Sequence, residues 1–154
     1  MATEIERKFL LASDSWREGA RGQRYRQGYL STDKERVVRV RTIDETAFLT
    51  IKGITRGISR LEFEYAIPLD DAETMLEVLC HAPIIDKTRY RIRHGHHVFE
   101  VDEFHGNNAG LIVAEVELDS EDEAFERPNW LGEEVTDDPR YANANLIEHP
   151  YSSW

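Results

Sequence analysis

Acidic side chains recur in this sequence in pairs two residues apart: Glu4 and Glu6, Glu62 and Glu64, Glu100 and Asp102, Glu115 and Glu117. Basic side chains do the same at Arg39 and Arg41 and at Lys87 and Arg89, and Lys8, Lys52, Arg60 and Arg91 add single cations. Carboxylate oxygens suit hard cations such as Mg²⁺ or Mn²⁺, which keep several waters and bridge to phosphate. A cluster of lysines and arginines can cradle consecutive phosphoryl groups, arginine through bidentate forks and lysine as a point charge. Together these are the parts that phosphoryl transfer requires: positioning, charge neutralisation and an activated water. A phosphate-binding glycine loop is not the source, because Gly53-Ile54-Thr55-Arg56-Gly57 lacks the Gly-Lys-Ser/Thr ending.

The period of two is the signature of strands. Alternation predicts eight of them: Thr3 to Leu11, Arg24 to Leu30, Arg36 to Arg41, Phe48 to Lys52, Arg60 to Ile67, Lys87 to Arg93, Val98 to Phe104 and Leu111 to Leu118. Turn residues at Gly53 to Gly57, His94-Gly95-His96 and His105-Gly106-Asn107-Asn108 make the links short, which implies antiparallel hairpins. Three helices are expected: Ala72 to Leu79 capped by Asp70 or Asp71, a short one from Ser120 to Phe125 with a Ser120/Glu123 capping box, and one opened by Asp138-Pro139 and running to about Ile147. The class is α+β with one large antiparallel sheet.

A single Glu-x-Glu pair is the ordinary solvated face of a strand. Like-signed pairs on nearly every strand are different, since solvated faces usually mix in Ser, Thr, Gln and Asn. The other face carries Ile5, Phe9, Val38, Val40, Leu49, Ile51, Leu61, Phe63, Tyr65, Val101, Val116 and Leu118. A sheet curled into a barrel with its charges inward would make a charged tunnel, with helices covering part of an apolar outer wall. Buried charge is costly unless matched, so such an interior reads as a site for a polyanion with metal.

The chain has 154 residues, the length of one domain, and the 1–154 span is expected to fold as a single unit. Its net charge of −11 argues against a general nucleic-acid binder, so an anionic ligand needs a local basic cluster. No run of 18 apolar residues is present, so no membrane helix is expected, and the acidic start Met1-Ala2-Thr3-Glu4-Ile5-Glu6 lacks the layout of a signal peptide. The lone Cys80 excludes an internal disulfide and fits a reducing cytoplasm.

Glu4-Ile5-Glu6-Arg7-Lys8 resembles the Glu-x-Glu-x-Lys signature of the CYTH superfamily, also called triphosphate tunnel metalloenzymes. The resemblance continues in order through Gln27-Gly28-Tyr29-Leu30, Arg39-Val40-Arg41, Thr50-Ile51-Lys52, Arg60-Leu61-Glu62-Phe63-Glu64, Lys87-Thr88-Arg89-Tyr90, Glu100-Val101-Asp102, Glu115-Val116-Glu117, Trp130-Leu131-Gly132 and Glu134-Val135-Thr136. It covers essentially the whole chain and is similar to the small bacterial branch. It implies an eight-stranded antiparallel closed β-barrel with a charged interior and a few covering helices. It also implies Mg²⁺ or Mn²⁺ at Glu4, Glu6, Glu115 and Glu117 with Asp102 close by, and a triphosphate held by Lys8, Arg39, Arg41, Lys52, Lys87 and Arg89. Tyr29 and Lys8 would form the catalytic pair, with the nearby ammonium lowering the tyrosine pKa so that Tyr29 accepts a proton. Glu62, Glu64 and Glu100 face the same way and would pair with the arginines.

The resemblance favours a metal-dependent inorganic triphosphatase that cleaves tripolyphosphate to pyrophosphate and phosphate, as a monomer or homodimer with a small-molecule partner. Alternatives on the same scaffold are a thiamine triphosphatase, a nucleoside triphosphatase, an adenylate cyclase, or a non-catalytic polyphosphate- or nucleotide-binding module. The many carboxylates argue against the last. His94, His96 and His97 read as hairpin polarity rather than a metal site, and Cys80 as a small buried hydrophobe. Trp130, Tyr141, Leu146 and Ile147 are expected to tie the C-terminal helix to the barrel, where family resemblance makes it close one tunnel mouth.

Overall fold

The computed structural model of the chain describes residues 2–154. Among these residues lie nine strands, all paired antiparallel: β1 Ala2–Leu11, β2 Gly22–Ser31, β3 Arg36–Ile43, β4 Thr46–Gly53, β5 Ser59–Ala66, β6 Ile85–His94, β7 His97–Phe104, β8 Ile112–Glu117 and β9 Leu131–Glu134. The sheet runs β5-β4-β3-β2-β6-β7-β8-β1-β9 and closes through β5 against β1, giving an eight-stranded barrel with β9 as one strand more. The first half of β1 pairs with β5 (Glu4 opposite Arg60) and the second half with β8 (Glu6 opposite Glu117, Lys8 opposite Glu115). Beyond β5, β9 takes the same edge of β1, with Phe9 opposite Glu134. Closure leaves the barrel strands without free edges and fixes which charges stand side by side.

Parity then decides the faces, because successive side chains of a strand point to opposite sides. Three apolar clusters hold the wall. Outside β3 and β4, Val40 and Ala47 pack under Ala72 and Leu76 of a helical cover. That cover is α1, Leu69–Thr74, continued by a π-helical turn over Met75–Leu79. It approaches β2 so closely that a Cβ on Gly28 would stand 2.8 Å from the Cys80 Cβ, so only glycine fits there. Outside β1, β7 and β8, Phe9, Phe99 and Val116 pack with Trp130 and Phe125. The third cluster fills one end of the barrel: Tyr29, Val37, Ile85, Phe104 and Val113 pack against Tyr141, Leu146 and Ile147 of the C-terminal segment. Past the α1 cover, the outer face of β5 and the adjoining end of β4 stay uncovered, and Ile51, Leu61, Phe63 and Tyr65 are exposed.

Three helix expectations are revised. The first helix begins at Leu69 after Pro68 instead of at Ala72, and no side chain caps it; Asp70 and Asp71 lie in its first turn, where they oppose the helix dipole. No helix forms at Ser120 to Phe125. Glu123 does reach back to the Asp119 N–H at 2.6 Å, but its other oxygen binds His97, and Phe125 is drawn into edge contacts with Phe9 and Phe99 at 5.9 and 6.0 Å. The C-terminal helix is split into a 3₁₀ turn, Pro139–Tyr141, and α2, Asn143–Glu148, by the extended Ala142 (ψ 132°). Asp138 accepts from the Arg140 N–H at the start of the 3₁₀ turn, and Tyr141 turns into the plugged end. Trp130 serves the β7–β8 cluster and not the C-terminal helix; its ring meets Phe99 edge-on at 5.5 Å.

Candidate functional site

The inward charges enclose a cavity of about 260 Å³. Lys8, Arg39, Arg41, Lys52, Lys87 and Arg89 all line it, joined by Arg60 and Arg91. So do Glu4, Glu6, Glu115 and Glu117, with Glu62, Glu64 and Glu100. Tyr29 and Val37 form the wall toward the plugged end, and Ala142, Asn143 and Ala144 at the start of α2 complete it. A second chamber of about 470 Å³ adjoins at Glu4, Glu6, Lys8 and Arg60, and reaches between Lys34, Ile58 and Pro139.

Asp102 does not line the cavity. It stands behind the wall at 2% exposure, where both its oxygens take the Arg89 guanidinium at 2.7 and 2.8 Å and Oδ2 also meets the Lys87 ammonium at 2.8 Å. Burial works to raise its carboxyl, but Arg89 and Lys87 outweigh burial and hold it below the usual range. The structure therefore gives Asp102 the work of fixing two cations. Lys87 also donates to Asn143 Oδ1 at 3.0 Å, which ties α2 to the site. Burial pushes the Lys87 ammonium down to about 8 despite Asp102.

The other cations divide into satisfied and unsatisfied. Lys52 contacts Glu4 at 2.6 Å and Glu62 at 3.4 Å. Arg89 adds Glu100 at 3.3 Å to its Asp102 fork. Arg39 and Arg41 share one carboxylate, Glu64, at 3.7 and 3.5 Å, and the Nε atom of each is buried with no partner. Burial, with Arg39 and Arg89 alongside, pushes Arg41 down to about 10, far below an ordinary guanidinium. Two desolvated arginines short of acceptors are a receptor for an anion with several oxygens.

The carboxylates show the complementary shortage. Burial, then Glu115 and Glu4, push Glu6 well above its ordinary value. Glu62, hydrogen-bonded to Glu4 and partly buried, is pushed up to about 7, and burial with Glu4 and Glu100 raises Glu117. Glu115 is lowered because Lys8 and Arg89 outweigh its burial. Among the described residues no three His, Cys, Asp or Glu side chains form a ready coordination set. Crowded carboxylates whose charge is under-compensated still fit a hard divalent cation, which typically takes one or two carboxylates and completes its shell with water and substrate oxygens. Glu4, Glu6, Glu115 and Glu117 are the residues that would hold it.

Raised carboxyls bind more protons folded than unfolded, so their stabilising effect is present at mildly acidic pH and lost as pH rises through the raised values. The lowered carboxyls of Glu4, Glu115 and Asp102 lose their contribution only in more acid solution. The metal-free protein is therefore expected to melt highest near about pH 5 and roughly 3–6 °C lower at about pH 8, for a cost on the order of 1–2 kcal/mol. Added Mg²⁺ should remove most of that slope. Calorimetric melts in chelator and in Mg²⁺ check it; a Tm that is flat or rising across this window refutes it.

Tyr29 lies beside the cavity, and its Oη accepts from Gln27 Nε2 at 3.1 Å. The expected lowering of its pKa by Lys8 is corrected: burial raises the phenol above its ordinary value, against the pull of Arg39 and Lys8. Lys8 itself stays raised, because Glu115 and Glu6 outweigh its burial. Sequence reasoning passed over Tyr25, Gln27 as a side chain, and Asn143. Tyr25 and Gln27 carry the same inward parity as Tyr29, which was the available signal; nothing local marks Asn143. His97 pairs with Glu123, and His94 lies 3.9 Å from Glu126. Cys80 is partly buried under α1.

Comparison with known proteins agrees with this geometry. A family model described as the CYTH domain matches residues 2–151. An inorganic triphosphatase of Acetivibrio thermocellus is 48% identical over 154 residues, covering 100% of this chain and 99% of the relative. An inorganic triphosphatase of Nitrosomonas europaea is 41% identical over 149 residues, covering 94% and 96%. A crystal structure of an inorganic triphosphatase superposes with a TM-score of 0.66 at 38% identity, over 96% of this chain and 95% of that one.

Proposed function

The chain belongs to the CYTH domain family, and from that premise we propose that it is a metal-dependent inorganic triphosphatase, cleaving tripolyphosphate to pyrophosphate and phosphate inside the charged barrel. One observation carries the reading: Arg39 and Arg41 present buried guanidiniums whose Nε atoms have no partner. Tripolyphosphate supplies the missing acceptors along one chain of oxygens. Among the described lining residues Tyr29 is the sole aromatic, and its ring is packed into the apolar plug, so the lining that meets a ligand is nearly all charged. This supports the inorganic substrate over its organic esters.

In this mechanism Arg39 and Arg41 bind phosphoryl oxygens, with Lys8, Lys52, Lys87 and Arg89 neutralising the remaining charge. Glu4, Glu6, Glu115 and Glu117 would hold Mg²⁺ or Mn²⁺, which would offset phosphate charge and acidify water. Water adds to a terminal phosphorus, the bridging P–O bond breaks, and pyrophosphate leaves. Tyr29 Oη, on the cavity wall and kept neutral by burial, relays the proton of that water, passing its own proton on as it accepts, while Gln27 holds the phenol in place.

The test is phosphate and pyrophosphate release from tripolyphosphate, ATP and thiamine triphosphate side by side, with Mg²⁺ or Mn²⁺ and with chelator. Tripolyphosphate should be turned over far faster than the other two, and only with metal. Arg41→Ala should raise KM roughly 10- to 100-fold, the scale of a charged hydrogen-bonding group lost from a dry site. Equal turnover of all three substrates, or an unchanged KM in the variant, would sink the assignment.

A further inference from the structure

Three guanidiniums converge on one phenol that the mechanism leaves unused. Tyr25 is fully buried in β2, between β3 and β6. Arg41 from β3 lies over its ring at 5.1 Å and Arg89 from β6 at 4.9 Å. Arg91 donates to its hydroxyl at 3.0 Å. Both guanidiniums thus lie over one ring, and each also has a carboxylate within reach: Glu64 at 3.5 Å from Arg41, Glu100 at 3.3 Å from Arg89.

The chemistry of that contact differs from that of an ion pair. A guanidinium has five N–H donors, all in its plane, and a carboxylate consumes two of them. An aromatic face attracts the cation through its π-cloud and takes none. Stacking thus holds Arg41 in place while its donor edges stay open. Without the ring, Arg41 can swing onto Glu64 or Glu100 and close a fork there, and its donors would be spent before substrate arrives.

We propose that Tyr25 is a positioning residue that keeps the donor edge of Arg41 open to the phosphoryl oxygens by stacking on its guanidinium. The proposal rests on the triphosphatase reading for the substrate, and not for the geometry.

The experiment compares Tyr25→Leu with Tyr25→Phe, using turnover kinetics and calorimetric binding of tripolyphosphate to the intact protein. Tyr25→Leu should raise both KM and Kd by about tenfold or more, the size of a desolvated cation–π contact, with kcat changed much less. Tyr25→Phe keeps the stack and loses only the Arg91 bond, so it should restore both constants to within about threefold of the wild type. A purely structural role would instead lower Tm and the active fraction alike in proportion to lost packing, leaving KM unmoved. An unchanged KM and Kd in Tyr25→Leu, or Phe failing to rescue, overturns the proposal; so does loss of the fold in both variants, which would make Tyr25 a core residue. If wild-type protein binds tripolyphosphate without hydrolysing it, the triphosphatase reading fails while the Kd comparison still decides the role of Tyr25.

Discussion

Replacing Asp102 with alanine is expected to cost the fold about 3–5 kcal/mol, because it strands two buried cations at once. Arg89 would lose both bonds of its fork and Lys87 its 2.8 Å partner. The two side chains are 7% and 1% exposed, and Glu100 on Arg89 and Asn143 on Lys87 would make up only part of the lost carboxylate. A domain of this length melts about 2–4 °C lower per kcal/mol, so Tm should fall by roughly 10 °C. That is a large share of a total stability that is typically about 5–15 kcal/mol.

Asp102→Asn separates charge from shape. Its amide keeps the volume but faces the guanidinium with N–H on one side, so most of the loss should remain. Tripolyphosphate should raise Tm more in both variants than in the wild type, because it brings negative charge to the stranded cations. Urea and thermal melts measure this, and a variant within about 1 kcal/mol of the wild type would show that the cluster contributes no net stability. The pH sign follows from the lowered carboxyl of Asp102: its contribution persists above the ordinary carboxylate range and is lost only as pH falls below it.

Tyr29→Phe is expected to lower kcat by about 10²- to 10⁴-fold, the usual worth of a group that handles the proton, with little change in KM. The phenol carries no charge to hold substrate, and Phe retains its place in the apolar plug with Val37, Ile85 and Phe104. Burial raises the Tyr29 pKa, so the limb of the rate profile that depends on its ionisation lies on the alkaline side. That limb should vanish in the variant. Arg39 and Lys8 near Tyr29 offset only part of that rise. Rates and pH profiles measured under saturating tripolyphosphate decide between proton handling and mere support of Lys8. A Phe variant with the wild-type rate and profile would leave only support.

Local spacing determined a great deal. Parity alone sorted Glu4, Glu6 and Lys8 from Ile5 and Phe9, and Arg39 and Arg41 from Val38 and Val40, because a strand sends alternate side chains to opposite faces whatever its neighbours are. It follows that nearly every expected site residue reached the same cavity, and that the outer wall of β4 and β5 came out apolar. The short turns fixed the hairpins for the same local reason; at Gly95, for example, φ of 62° suits a tight reversal.

Tertiary structure decided which charges are free. Asp102 and Glu115 look alike in sequence, each an acid at an inward position of its strand. The register that sets Asp102 opposite Arg89 puts Arg89 and Lys87 on its oxygens and leaves it covered, whereas Glu115 stands opposite Glu100 and faces the cavity. The unmet donors of Arg39 and Arg41, the clamp of Tyr25 and the Lys87–Asn143 bond across 56 residues likewise depend on strands brought together by closure. The capping box at Ser120 failed for a related reason: Glu123 found His97 on another hairpin, and Phe125 found the aromatic cluster, so contacts distant in sequence outweighed a helix of one turn. Alternation acts within one strand and is written in that strand; an ion pair or a stack needs two strands, and its partners are set only when the barrel closes.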